Sequence, residues 1–219
     1  METVKFGNKY SDNGVSFVEM FGIMGGTFDP IHYGHLVLAE KAKEAFGLKK
    51  VIFVPAAVPP HKIGEVAASG QNRLEMVKLA IEDHLDFEVS SVELNREGPS
   101  YSIDTLRQLQ HEHPKMEAAF IMGYDSLLEL HSWKNYQELL SESRVITAFR
   151  PGYPILKDIT DLPQFLKTFH ERILFLEAPL LDISSTWLRV ELMYDRSIRY
   201  LVPESVRNYI NKKRIYRDF

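Results

Sequence analysis

Two histidines three residues apart, His32 and His35, close the segment Gly25-Gly26-Thr27-Phe28-Asp29-Pro30-Ile31-His32-Tyr33-Gly34-His35. One helical turn presents both imidazoles to one face, and each can donate hydrogen bonds to phosphate oxygens. Glycines let a backbone approach a ligand closely. A helix start adds N–H groups and about half a unit of positive charge, which favours phosphate. A second string, Ile183-Ser184-Ser185-Thr186-Trp187-Leu188-Arg189, offers hydroxyls, a helix start and a guanidinium one turn beyond Ser185. Such groups suit phosphate oxygens when they converge. Taken singly, a Gly-Gly, a His pair or a Ser-Ser-Thr string reads more simply as structure, surface or, for the histidines, half of a metal site. The coincidence of glycines, His pair, strand end and helix start makes phosphate binding the better reading. The spacing matches neither the Walker-type loop nor the dinucleotide fingerprint Gly-x-Gly-x-x-Gly. The other histidines show no shared ligand spacing.

The elements that must position these groups follow from periodicity. Phe21 to Met24 reads as a buried strand that stops at Gly25-Gly26. A helix from about Gly34 carries Leu36, Ala39, Ala42 and Phe46 on one face, with Gly47 as its C-terminal cap. Val51 to Val54 is a second strand, which completes a βαβ unit and implies a parallel sheet. The alternation continues: a loop over 56–70, a helix from Arg73 to Asp83, a strand at 87–89, a helix over 102–110, and strands at 118–122, 145–149 and 173–176. Helices from about Ser184 and from Pro203 close the chain. Residues 1–19 read as a polar N-terminal extension of unassigned role, and 20–219 as one domain. The expected class is α/β: a Rossmann-like, doubly wound parallel sheet with a helical C-terminal end. In such sheets ligands bind beyond the carboxyl ends of the strands, where both motifs fall.

Composition narrows the class. Hydrophobic residues make up 45% of 219, ordinary for a folded chain. No cysteine is present, so disulfides, thiolate metal sites and a cysteine nucleophile are excluded. The N-terminal stretch lacks the apolar run of a signal peptide, and no segment approaches the ~20 apolar residues of a membrane helix. A net charge of −4 gives no nucleic-acid signal. The expected setting is cytoplasmic, with small-molecule partners, no nucleic acid and no membrane; a homo-oligomer is compatible with the reading.

The first segment resembles nucleotidyltransferases whose signature is Thr-x-x-x-x-His-x-Gly-His, and its fuller string resembles the bacterial nicotinate-nucleotide adenylyltransferase branch. The second string resembles that family's Ile-Ser-x-Thr-x-x-Arg signature. Two distant signatures in the expected order are a strong match, and the likeness runs from about residue 20 to the end. By that resemblance His32, His35 and Arg189 are catalytic. ATP would be held by Gly25, Gly26, Thr27, Phe28, His32, His35, Gly123, Asp125, Ile183, Ser184, Ser185, Thr186 and Arg189. Lys62, Tyr101, Ser102, Trp133 and Lys134 would hold the mononucleotide, the backbone N–H groups of Ser102 and Lys134 taking its carboxylate. Asp125 reads equally well as a helix N-cap; Trp133 has an alternative reading as core and Lys62 one as an ordinary loop lysine. Asp104, beside the same helix start, would repel a carboxylate if it pointed inward.

The implied reaction transfers the adenylyl group of ATP to nicotinate mononucleotide, giving nicotinate adenine dinucleotide and pyrophosphate in NAD biosynthesis. The resemblance implies Mg²⁺, carried mainly by ATP oxygens and water rather than by protein ligands. Three alternatives stand beside it. One is an adenylyltransferase for nicotinamide mononucleotide or phosphopantetheine, though the pantetheine enzymes are shorter and usually carry Thr at the place of His32. Another is a glycerol-phosphate-type cytidylyltransferase, whose second motif residues 179–186 do not match. The last is a non-catalytic nucleotide-binding module.

Overall fold

The computed structural model describes residues 19–57, 66–148, 162–179 and 181–217. Short runs such as Val51-Ile52-Phe53-Val54 have no polar face, so both sides of each strand need cover. A parallel sheet with helices on both faces supplies it. Six strands, β1 (Glu19–Gly26), β2 (Lys50–Pro55), β3 (Phe87–Val89), β4 (Met116–Gly123), β5 (Arg144–Ala148) and β6 (Ile173–Leu176), pair in the order β3-β2-β1-β4-β5-β6. All pairings are parallel. The order reverses at β1, whose neighbours are β2 and β4, so the crevice of a doubly wound sheet opens there.

Eight α-helices connect and cover the strands among the described residues: α1 (Tyr33–Phe46), α2 (Gly70–Ile81), α3 (Ser102–Glu112), α4 (Tyr124–Leu128), α5 (Tyr136–Glu142), α6 (Gln164–Lys167), α7 (Ser185–Met193) and α8 (Glu204–Lys213). Alternate residues of one strand serve opposite faces. Met24 of β1 joins a core with α1, α2, α7 and α8, through Ala39, Ala42, Met76, Val77, Leu188 and Val206. Ile23 joins the other, with α3, α4, α5 and α6, through Ile103, Leu106, Leu127, Leu139 and Leu166. Each fully buried Leu, Ile, Val or Met among them contributes about 1.5–3 kcal/mol. Gly22 shows how tightly the sheet is covered: a Cβ there would lie 2.7 Å from Ile121 Cδ1 and 2.9 Å from Leu48 Cδ1.

The strands lie where the apolar runs place them, extended by one or two residues at several ends. Glu19, which the polar N-terminal stretch includes, opens β1. Residues 1–18, Lys62 and Phe149 lie outside the described residues. Gly47 caps α1 in the left-handed conformation, at φ 61°. Two short helices, α5 and α6, stand where the sequence reading names none, and α4 starts one residue before Asp125, which that reading offers as an N-cap. Among the described residues no helix is long and apolar enough to cross a membrane.

Candidate active site

A cleft of about 890 Å³ opens at the carboxyl ends of β1 and β4. Every site residue expected from the sequence lines it, apart from Lys62, which lies outside the described residues. One end gathers Gly25, Gly26, Thr27, Phe28, His32 and His35 with Ile183, Ser184, Ser185, Thr186 and Arg189. The other gathers Tyr101 and Ser102 with Trp133 and Lys134, while Gly123 at the end of β4 and Asp125 just beyond it also line the cleft.

The first end is built from glycines and one strained aromatic. Phe28 has φ 51°, a conformation bulky residues avoid unless packing holds them there. Packing does: its ring is 2% exposed, edge-on to His35 at 5.1 Å and 5.9 Å from Phe53. Gly26 gives that ring room, since a Cβ there would lie 3.1 Å from it. Gly25 faces open space with no protein atom within 4 Å of a Cβ, so the cleft floor is bare backbone. Gly34 makes room for His32; a Cβ would lie 3.0 Å from two atoms of that imidazole.

The two histidines do share a face, and their rings stack at 3.7 Å. His32 is the residue before α1, extended at φ −147° and nearly buried. Its N–H is 3.3 Å from His35 Nδ1, which accepts. In neutral His35 the proton then sits on Nε2, leaving that nitrogen a donor. The helix start is less open than periodicity alone suggests. The Tyr33 N–H donates to Leu201 O at 3.0 Å and the His35 N–H to His32 O at 3.0 Å, so phosphate would meet the imidazoles rather than these amides.

The second motif opens α7 as expected but caps it differently. Ser184 is the N-cap, with no capping bond from its side chain. Ser185 instead donates from Oγ to Pro30 O at 2.9 Å. Arg189 donates from Nη1 to Asp29 O at 2.9 Å, with Thr186 Oγ1 3.4 Å from its other terminal nitrogen. The two motifs are therefore bonded to each other. The peptide between Asp29 and Pro30 is cis.

Asp29 is the residue the motif reading passes over. It is 1% exposed, and its carboxylate accepts from Ala67 N at 2.7 Å, Ala68 N at 3.0 Å and Tyr216 Oη at 2.7 Å. Arg73, equally buried, donates to Thr27 O at 2.7 Å and to Ala68 O at 3.2 Å. Burial lowers the Arg73 pKa, and the Asp29 charge opposes that shift. An acid placed directly after the strained Phe28 is the one local signal for Asp29; nothing local marks Tyr216.

The acceptor end is looser. Tyr101 precedes α3 and Ser102 is its first residue, so the leading N–H groups of α3 have no intrahelical acceptor. Asp104 does not stand alone beside them: Lys134 Nζ is 3.4 Å from its Oδ2 and 4.2 Å from the centre of the Tyr101 ring. Both ionic side chains are well exposed. Behind this wall Thr105 donates to the buried Glu93 at 2.6 Å and accepts from Arg96 at 3.1 Å. Glu93, Leu181 and Asp182 line the cleft without having been singled out. Asp125 lies in the first turn of α4, whose N-cap is Gly123. Trp133 packs partly against the core and partly lines the cleft.

A parallel sheet whose switch point carries this pair of bonded motifs defines a nucleotidyltransferase, and the family model described as cytidylyltransferase-like matches residues 23–191. A protein of Desulfitobacterium hafniense strain Y51 named "Probable nicotinate-nucleotide adenylyltransferase" is 48% identical over 90% of this chain and 95% of its own length. A namesake from Moorella thermoacetica is 44% identical over 90% of this chain and 91% of its own. The chain belongs to the nicotinate-nucleotide adenylyltransferase family. A solved structure of the Plasmodium falciparum nicotinic acid mononucleotide adenylyltransferase, complexed with NaAD, shares the fold with a TM-score of 0.74 at 20% identity. It covers 90% of this chain and 97% of its own.

Proposed function

We propose that this chain joins the adenylyl group of ATP to nicotinate mononucleotide through the residues gathered in the cleft, as its family does. The observation that carries the assignment is the bonded pair of motifs: His32 and His35 on one side, Arg189 on the other, around a glycine floor open to a ligand. The mononucleotide phosphate has a second pKa of about 6, so it is largely ionised at neutral pH and needs no general base. Its oxygen attacks the α-phosphorus of ATP. The bond from that phosphorus to the bridging oxygen breaks, and pyrophosphate leaves with the electron pair. The protein's part is to align two polyanions and to neutralise the charge that builds on the phosphorus and the leaving oxygen. Imidazole N–H groups and the α7 start do this without a covalent intermediate.

Magnesium enters as part of the MgATP substrate. Four carboxylates line the cleft among the described residues, and Asp29 and Glu93 are already taken up by protein donors. No group of three ligating side chains is present among the described residues. That donor set fits a hydrated ion held on phosphate oxygens. On this reading Asp125 accepts from ribose hydroxyls, Trp133 covers the pyridine ring, and the N–H groups of Ser102 and Lys134 take its carboxylate. Lys62 is assigned to the mononucleotide phosphate. A cytoplasmic site of action goes with this reading, since both substrates must be supplied there.

The test is product formation from ATP and magnesium with three acceptors in parallel: nicotinate mononucleotide, nicotinamide mononucleotide and phosphopantetheine. The proposal requires nicotinate adenine dinucleotide and equimolar pyrophosphate to form fastest. Faster turnover of either other acceptor overturns the substrate assignment, and no turnover of any overturns the enzymatic one.

A further inference from the structure

The mechanism leaves several buried titratable groups unused, Tyr216 among them. Tyr216 lies past α8, 3% exposed, with its backbone at φ 70°. A bulky residue persists in that conformation only where its surroundings fix it. Its hydroxyl donates to Asp29 Oδ1 at 2.7 Å, across 187 positions of sequence. Burial, and then the Asp29 charge, raise the phenol pKa above its ordinary value, so the hydroxyl stays protonated and remains a donor.

The bond sits at a junction. Asp29 occupies the turn between Phe28 and His32, and its carbonyl is the acceptor for Arg189. Its two carboxylate oxygens are shared among the Ala67 and Ala68 amides, which fix the loop before α2, and Tyr216. The same carboxylate lies 3.8 Å from Arg189 Nη1. The tyrosine itself is delivered by α8, which is pinned to α2 by Ser205 Oγ donating to Leu79 O at 2.8 Å and Tyr209 Oη to Asn72 Oδ1 at 3.0 Å. One carboxylate thus ties the histidine turn, the α2 loop and the C-terminal turn together.

We infer that Tyr216 is a positioning residue for adenylyl transfer: its hydroxyl holds the Asp29 carboxylate, and through it the relative placement of His32 and Arg189. The substrate is not touched by Tyr216. The inference rests on the adenylyl-transfer reading above, and the wild-type rate, measured alongside, tests that reading separately.

The test is Tyr216→Phe, which keeps the ring and removes only the hydroxyl, and Asp29→Asn, alone and combined with it. For each we would measure kcat, both KM values, Tm and the stoichiometry of binding of a non-hydrolysable ATP analogue. Tyr216→Phe should lower kcat about tenfold, the scale of one hydrogen bond to a charged group, with both KM values within about twofold and one analogue bound per chain. The double variant should be little worse than Asp29→Asn, because both act through one carboxylate. Wild-type kcat in Tyr216→Phe would overturn the inference. So would additive losses in the double variant, or a kcat loss matched by a loss of binding-competent chains, which is what mere destabilisation produces.

Discussion

The two ends of the cleft are built to different standards. Around Asp29, buried side chains from the histidine turn, α2 and the C-terminal turn and the half-buried Arg189 of α7 meet in bonds of 2.7–3.2 Å. Around Tyr101 and Trp133, an exposed ion pair at 3.4 Å and a lysine over a ring link the walls among the described residues. Exposed pairs of that kind contribute only about 0–1 kcal/mol. The difference follows the chemistry. A transition state gains only from donors already in place, so the phosphate end must be rigid. An acceptor must enter and a larger dinucleotide must leave, so the other end can be held weakly. The phosphate end should therefore set the rate, and the acceptor end the choice of substrate.

The comparison breaks most visibly at His32. Replacing it with Ala should lower kcat by roughly 10²–10³, the cost of one preorganised transition-state donor, with KM values little changed. A raised KM with normal kcat would move His32 to ground-state binding. Acceptor choice comes next. Nicotinate should exceed nicotinamide mononucleotide in kcat/KM by about one to two decades, because an amide NH₂ facing backbone N–H groups leaves roughly 1–3 kcal/mol per group unpaired. Equal values would remove the Ser102–Lys134 assignment.

Smaller effects sharpen the contrast. Gly34→Ala sets a methyl 3.0 Å from the His32 ring. Overpacking costs about 1–3 kcal/mol, so kcat should fall around tenfold although Ala favours the helix. An unchanged kcat would show that His32 tolerates displacement. Lys134→Met removes the exposed link to Asp104 while leaving the backbone N–H. The KM for the mononucleotide should rise by roughly twofold to fivefold, with kcat and the ATP KM unaltered, as fits an exposed pair. A fall in kcat comparable to that of His32→Ala would erase the distinction between the two ends.

The legibility of the sequence follows the same divide. A strand such as β2 announces itself as an apolar run that Pro55 ends, and α1 by its spacing and Gly47. Short helices do not: α4 has five residues, directly after β4, and α5 starts from Asn135 in the left-handed conformation. Neither has room for a repeating apolar pattern. The motifs single out His32, His35 and Arg189, which line one cleft, because glycine, imidazole and hydroxyl spacing is local. The bond from Tyr216 to Asp29 spans 187 positions and leaves no local trace. Arg73 shows the same limit: on a helix whose apolar face is plain, its burial is set by Thr27 and Ala68 carbonyls supplied from elsewhere.

The most direct test is a single two-by-two experiment: kcat/KM for nicotinate and for nicotinamide mononucleotide, at saturating MgATP, in the wild type and in His32→Ala. The account predicts that the variant loses about 10²–10³ in rate with both acceptors while the nicotinate preference stays within about twofold of the wild-type ratio. A ratio that collapses with the rate would contradict it, because the end that sets the rate would then also be choosing the substrate.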